Sequence, residues 1–125
     1  MKLNTILVVD DDENDQFICE YTIRKFDPAI TILKAQDGTE ALAILETETP
    51  DAIILDINMP IMNGFEFLEH YARAFSNHAP VVAMLTSSQL GTDRERALRY
   101  PFVKSYLEKP LTIEHLRQMQ ELLEA

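Results

Sequence analysis

The sequence predicts an α/β fold in which a five-stranded parallel sheet carries helices on both faces. Two observations lead to this prediction. Short apolar runs rich in Val, Ile and Leu alternate five times with longer stretches of helical periodicity. The apolar runs are continuous rather than alternating with polar residues, which is typical of strands covered on both faces. Strands that alternate with helices pair in parallel through right-handed crossovers, and the product is a doubly wound sheet.

Five strands and five helices are predicted. The strands are Thr5–Asp10, Ile30–Ala35, Ala52–Asp56, Val81–Thr86 and Ser105–Leu107. The helices are Asn14–Phe26, Asp37–Glu46, Gly64–Ala74, Thr92–Leu98 and Thr112–Glu124. Asp37 and Thr112 have the side chains of N-caps, and Glu40 follows Asp37 at the spacing of a capping box.

Length and composition indicate one domain. The chain has 125 residues, of which 46% are apolar, so a single domain that buries its own apolar side chains is expected over residues 1–125, with no effector domain after it. The single cysteine, Cys19, excludes an internal disulfide and fits a cytoplasmic location. The aliphatic run Ile6–Val9 is too short for a signal peptide core or a membrane span.

The formal net charge of −10 makes nucleic acid and membrane surfaces poor direct partners. Two interpretations of this charge stay open. It serves solubility alone, or part of it forms a cation site. The positions of the acidic residues have to decide between them.

Polar side chains stand where four of the predicted strands end. Asp10 and Asp11 follow the first strand, Asp56 the third, Thr86 the fourth and Lys109 the fifth. The carboxyl ends of parallel strands share one edge of the sheet, and ligands of such folds bind beyond that edge. We therefore expect these five side chains to meet there.

The expected chemistry follows from this residue set. Clustered carboxylates raise one another's pKa unless a cation neutralises them, and magnesium accepts carboxylate and phosphate oxygens as ligands. A lysine and a hydroxyl beside such a site supply a charge and a hydrogen bond for a phosphoryl group. Together these parts suit phosphoryl transfer to a carboxylate.

Four stretches carry a more specific pattern, at these same strand ends and in a fixed order. They are Ile6–Asp12, Ile54–Gly64, Met84–Ser88 and Tyr106–Pro110. In this combination they resemble the receiver domain of bacterial two-component response regulators over essentially the whole chain. The resemblance implies a flavodoxin-like (βα)5 fold with strand order 2-1-3-4-5, and a stand-alone signalling domain rather than an enzyme.

The resemblance also implies roles for the acidic residues. Asp56 would be the phospho-acceptor. Asp11 and Asp56 would ligate magnesium directly, Asp10 would act through a water, and the backbone carbonyl of Asn58 would complete the set. Manganese or calcium would be substitutes for magnesium, and no organic cofactor is implied.

Three further roles come from the same resemblance. Thr86 would move to bond the phosphoryl group, and Lys109 would hold one of its oxygens. The Lys109–Pro110 bond would be cis. Tyr106 would turn inward as an aromatic switch when Thr86 moves.

The implied partners are proteins. A histidine kinase or a histidine phosphotransfer protein would dock near the first helix and donate the phosphoryl group. The output would be a contact with a downstream protein, or phosphate passed onward, from a monomer or a weak homodimer. A haloacid-dehalogenase-like phosphatase is disfavoured, because Asn58 stands where its general acid would be. A receiver that binds partners without phosphorylation is the third alternative.

Several residues keep a second interpretation. Asp12 could replace Asp10 in the pocket, Thr86 could be a simple strand residue, and Tyr106 could merely pack its ring. Phe102, in the unusually bulky stretch before the fifth strand, could anchor a partner or plug the fold.

Other residues are expected to be structural. The first helix places Phe17, Ile18 and Tyr21 on one face, and Cys19 is expected in the core. Phe65, Phe67 and Leu68 are expected to pack the third helix, and the three histidines, His70, His78 and His115, are expected at the solvated surface.

Overall fold

The structure is a computed structural model that describes residues 2–88 and 90–124. Its five strands are β1 Thr5–Val9, β2 Thr31–Ala35, β3 Ala52–Leu55, β4 Val81–Thr86 and β5 Val103–Glu108. Its five helices are α1 Glu13–Phe26, α2 Gly38–Leu45, α3 Gly64–Ala74, α4 Gly91–Leu98 and α5 Ile113–Glu124. All strand pairs are parallel, in the order β2-β1-β3-β4-β5. The predicted fold class and strand order are confirmed.

The element boundaries differ slightly from the prediction. β1 and β3 end one residue before Asp10 and Asp56, so both acids lie just beyond the ladder. β5 is longer than predicted, and its pairing with β4 shifts register between Val82 and Ala83. The shift leaves Lys104 as an extra residue near the start of β5, which sequence periodicity does not reveal.

Two cores lie on opposite faces of the sheet, because successive strand residues point to opposite sides. Leu7 and Leu55 belong to the core beneath α2, α3 and α4, whereas Ile6 and Ile54 belong to the core beneath α1 and α5. Burial on both faces explains why the strands are apolar throughout. Phe65, Phe67 and Leu68 of α3 are buried, as predicted.

Helix α1 faces the sheet with a different side from the one its aromatic residues indicate. Cys19 and Ile23, four residues apart, are its buried residues. Phe17 is 68% exposed and Tyr21 54% exposed, and Ile18 is also exposed. The three residues share one face of α1, as predicted, but that face is exposed and does not pack on the sheet. The prediction that Cys19 lies in the core is confirmed. Burial raises the pKa of the Cys19 thiol to about 12.

Side-chain caps begin most of the helices. Asp12, Asp37 and Asn63 accept backbone N–H groups at the starts of α1, α2 and α3. Glu40 accepts from the backbone of Gln36 at 3.2 Å, one residue before the cap, so the box at Asp37 is not the standard one. Within the described residues, no side chain caps α4, which begins after Leu90.

An aromatic cluster fills the end of the molecule opposite the strand-end acids. The ring centroid of Phe102 lies 5.3 Å from that of Tyr71 and 4.5 Å from that of His78. Phe102 is only 9% exposed, so it plugs the fold and offers little to a partner.

Two of the three histidines are not simple surface residues. His78 is half-buried in the aromatic cluster, and its Nε2 lies 2.9 Å from the Tyr71 carbonyl oxygen. The Nδ1 atom of His115 accepts from the Thr112 amide at the start of α5, and the Thr112 hydroxyl accepts from His115 N in return. Only His70 is exposed as predicted.

In the described residues, no helix is both long and apolar enough to span a bilayer.

Candidate functional site

The sheet brings Asp10 and Asp56 side by side. β1 and β3 are neighbours whose register pairs Val9 with Leu55, so the next residue of each strand lies at the same edge. The amide of Asp56 donates to the Val9 carbonyl at 3.0 Å, which continues the ladder one step further. Both acids are buried, at 3% and 7% exposure.

Three carboxylates converge at this edge. Asp10, Asp11 and Asp56 each offer one oxygen, and these oxygens all lie within 4.8 Å of one another. Asp11 is exposed and opens the group to solvent. Hard oxygen donors at this spacing fit a divalent cation such as magnesium. Asn58 lies exposed two residues after Asp56, and the role of its carbonyl stays a prediction.

Lys109 provides the positive charge of the site. Its Nζ lies 3.0 Å from Oδ2 of Asp10, 3.0 Å from Oδ2 of Asp56 and 2.7 Å from Oδ2 of Asp15. The lysine follows β5, its amide donates to the Thr86 carbonyl at 3.1 Å, and its bond to Pro110 is cis, as predicted. One ammonium thus bridges carboxylates that come from three parts of the chain.

Asp15 is a member of the site that sequence reasoning missed. It lies in the first turn of α1, whereas the rule that ligands bind beyond the carboxyl ends of parallel strands points only to strand-end residues. One signal was present. Asp15 follows Asp11 by four residues, on a helix that starts at the same edge of the sheet, and side chains of a helix lean toward its N-terminus.

Backbone amides hold the other carboxylate oxygens. Oδ1 of Asp10 accepts from Asp12 N at 3.0 Å, and Oδ1 of Asp56 accepts from Ile57 N at 2.8 Å. These bonds leave the Oδ2 atoms directed at Lys109. The Oδ1 atom of Asp12 accepts from Asn14 N and Asp15 N, so Asp12 caps α1 while Asp10 joins the carboxylate group.

Burial and charge act in opposite directions on the ionisable groups. Burial raises the pKa of Asp10, although the Asp12 amide and Lys109 partly offset it. Burial also lowers the pKa of Lys109, but hydrogen bonds to Asp15, Asp10 and Asp56 outweigh it and raise that pKa above its usual value. The lysine is therefore charged at neutral pH.

Thr86 and Tyr106 meet at one backbone position. The Oγ1 atom of Thr86, buried at the end of β4, accepts from Ser88 N at 3.1 Å. The hydroxyl of Tyr106 donates to the Ser88 carbonyl at 3.3 Å. The ring of Tyr106 is half-buried and packs against the core. A movement of Thr86 would therefore disturb a segment that Tyr106 also holds.

Gln16 is a second residue that sequence reasoning missed. Its side-chain Nε2 lies 2.9 to 3.1 Å from the backbone carbonyl oxygens of Val8, Asp10 and Ala35, which share its two N–H donors. The bonds join α1 to the carboxyl ends of β1 and β2. No periodicity marks such a residue, because its partners are backbone atoms on other elements.

Residues 6–121 match the family model of the response regulator receiver domain. Protein PilH of Pseudomonas aeruginosa is 30% identical over 111 residues, which are 89% of each chain. A two-component response regulator from Cytophaga hutchinsonii superposes with a TM-score of 0.88 at 28% identity, over the whole of both chains. The sensor histidine kinase CheAY of Helicobacter pylori is 34% identical over 89% of this chain, which spans 14% of that relative. The chain belongs to the response regulator receiver domain family of two-component systems.

Proposed function

We propose that the chain is a receiver whose Asp56 accepts a phosphoryl group from a phosphohistidine. The observation that carries the proposal is the position of Lys109, whose ammonium lies 3.0 Å from Asp56 and 3.0 Å from Asp10 beside a third carboxylate. A lysine held there can bind an oxygen of a phosphoryl group on Asp56.

In the transfer, the N–P bond of the donor histidine breaks and an O–P bond forms at the Asp56 carboxylate. The donor imidazole leaves with the electron pair of the broken bond, and Asp56 becomes an acyl phosphate. The amide of Ile57 orients the carboxylate through Oδ1, and Lys109 offsets the charge that the new oxygens bring.

Magnesium is the metal that the donor set fits. Asp10, Asp11, Asp56 and the Asn58 backbone carbonyl would hold it, and manganese or calcium would use the same oxygens. When bound, the ion would supply the positive charge that lets a phosphate approach three carboxylates.

Thr86 and Tyr106 are proposed to report phosphorylation. Thr86 would leave Ser88 N for a phosphoryl oxygen, which frees the segment that the Tyr106 hydroxyl also contacts. The signal would then be a shift between two existing conformations rather than a new fold.

The partners proposed are a histidine kinase or a histidine phosphotransfer protein, and a downstream protein or relay acceptor. Similarity to a stretch of a sensor histidine kinase supports the first. We propose that residues 1–125 act as one signalling domain in the cytoplasm, monomeric or weakly dimeric, and do not hydrolyse small phosphoesters with multiple turnover.

The test compares Asp56→Asn with Asp12→Asn after incubation with magnesium and acetyl phosphate. Asp12→Asn removes a neighbouring carboxylate but keeps a capping side chain, so it is a matched control. Intact-mass spectrometry is expected to show one added phosphoryl group on the unaltered protein and on Asp12→Asn, and none on Asp56→Asn. Equal labelling of the two variants would show that Asp56 is not the acceptor.

A further inference from the structure

Asp15 forms the shortest of the contacts of Lys109. The distance from Nζ to Oδ2 of Asp15 is 2.7 Å, against 3.0 Å for Asp10 and for Asp56. Asp15 does not belong to the group of three carboxylates that converge as possible metal ligands. Its oxygen instead occupies one of the three donors of the ammonium.

The contact is held at both ends. The backbone of Asp15 is fixed by its own amide, which donates to the Asp12 cap at 3.1 Å, and by its position in the first turn of α1. The side chain of Lys109 is 16% exposed and that of Asp15 is 31% exposed, so solvent screens the pair only in part. The Asp15 carboxylate is therefore a fixed negative charge that contacts the same ammonium as Asp56.

We propose that Asp15 is a positioning residue that competes with the phosphoryl group for Lys109 and so favours the metal-bound, unphosphorylated state. The proposal rests on the proposed function of Asp56. A carboxylate at this place attracts a cation at Asp10, Asp11 and Asp56, but it repels the anionic group that phosphorylation adds. It also keeps one donor of Lys109 occupied when a phosphoryl oxygen needs it.

Removing the Asp15 carboxylate is therefore expected to change the affinity for magnesium and the affinity for a phosphoryl mimic in opposite directions. In Asp15→Asn, magnesium alone is expected to bind about threefold to tenfold more weakly, because a nearby negative charge is lost and Lys109 is freer to pair with the remaining carboxylates. At saturating magnesium, beryllofluoride, an anionic mimic of the phosphoryl group, is expected to bind more tightly by a similar factor. A variant that merely loosened the fold would bind both magnesium and beryllofluoride more weakly.

Glu13→Gln is the matched control. Glu13 lies in the same first turn of α1, so its removal costs the same charge at the same helix end. The protein lacks tryptophan, so both affinities are measured by amide NMR titration, first with magnesium chloride alone and then with beryllofluoride. Far-ultraviolet circular dichroism checks that each variant is folded.

The outcomes separate the two proposals. Weaker magnesium binding with tighter beryllofluoride binding in Asp15→Asn, but not in Glu13→Gln, supports the inference. Equal shifts in the two variants, or weaker binding of both ligands, would overturn it. If the unaltered protein binds beryllofluoride no better than Asp56→Asn does, the proposed function itself fails and the inference fails with it.

Discussion

At the scale of single residues, the site is organised by one ammonium among carboxylates. Strand-end reasoning found Asp10, Asp56 and Lys109, because parallel strands deliver their last residues to one edge. It missed Asp15, because a helix residue reaches that edge only through the angle at which α1 packs on the sheet. That angle depends on tertiary contacts such as those of Ile23, which a single sequence does not display.

Lys109 is expected to stabilise the fold chiefly by relieving repulsion among the acids. Lys109→Met leaves Asp10, Asp15 and Asp56 without their shared cation. We expect the free energy of unfolding at neutral pH to fall by about 1–3 kcal/mol, less than for a fully buried pair because the site is partly solvated. Urea denaturation measures the loss.

Magnesium should restore part of that stability, because it is expected to neutralise Asp10 and Asp56, two of the three carboxylates that Lys109 contacts. Lys104→Met, on the exposed side of β5, is the control and is expected to change stability by less than about 0.5 kcal/mol. A loss in Lys109→Met that magnesium left unchanged would mean that packing of the lysine stem, rather than charge, had been removed.

At the scale of elements, the sequence predicted which segments are helices better than which faces they bury. The type and order of all ten elements follow from periodicity and caps. Helix α1 shows the limit, because Phe17 and Tyr21 form an apolar stripe that the sheet does not cover. Apolar spacing on a helix identifies a face but not what that face meets. In α1 two smaller side chains, Cys19 and Ile23, meet the core.

Two substitutions on α1 should separate these faces. Ile23→Ala is expected to lower the free energy of unfolding by about 2–5 kcal/mol, since it empties a fully buried site. Phe17→Ala removes a larger side chain but is expected to cost less than about 0.5 kcal/mol, since the ring is 68% exposed. Chemical denaturation of both variants measures this difference, and similar losses would contradict the burial pattern.

At the scale of the whole molecule, the parallel sheet with helices on both faces was predictable from the sequence, whereas the aromatic cluster opposite the site was not. The sheet follows from the alternation of strands and helices and from the handedness of the crossovers, whereas its strand order rested on the resemblance to receiver domains. The cluster of Tyr71, His78 and Phe102 joins residues far apart in sequence, and nothing in their spacing indicates that they meet. The sequence shows that the stretch before β5 is bulky, but it does not show that Phe102 packs into the fold.

Metal binding should stabilise the whole fold, because the three carboxylates come together only when the sheet forms. At a magnesium concentration ten times the dissociation constant, the free energy of unfolding should rise by about 1.4 kcal/mol. Thermal unfolding in magnesium chloride, against sodium chloride of equal ionic strength, measures the gain. Asp11→Asn should abolish most of the gain; an unchanged gain would place the ion elsewhere.

The hydrogen bonds of the Gln16 side chain bear on which residues of α1 can be exchanged. Its bonds tie α1 to the carboxyl ends of β1 and β2 from the inner side of the helix, while Phe17, Ile18 and Tyr21 lie outside. The residue that holds the strand ends of the site and the residues exposed to solvent are thus separate sets on one helix. Substitutions in the exposed set are therefore expected to leave the arrangement of the carboxylates and Lys109 intact.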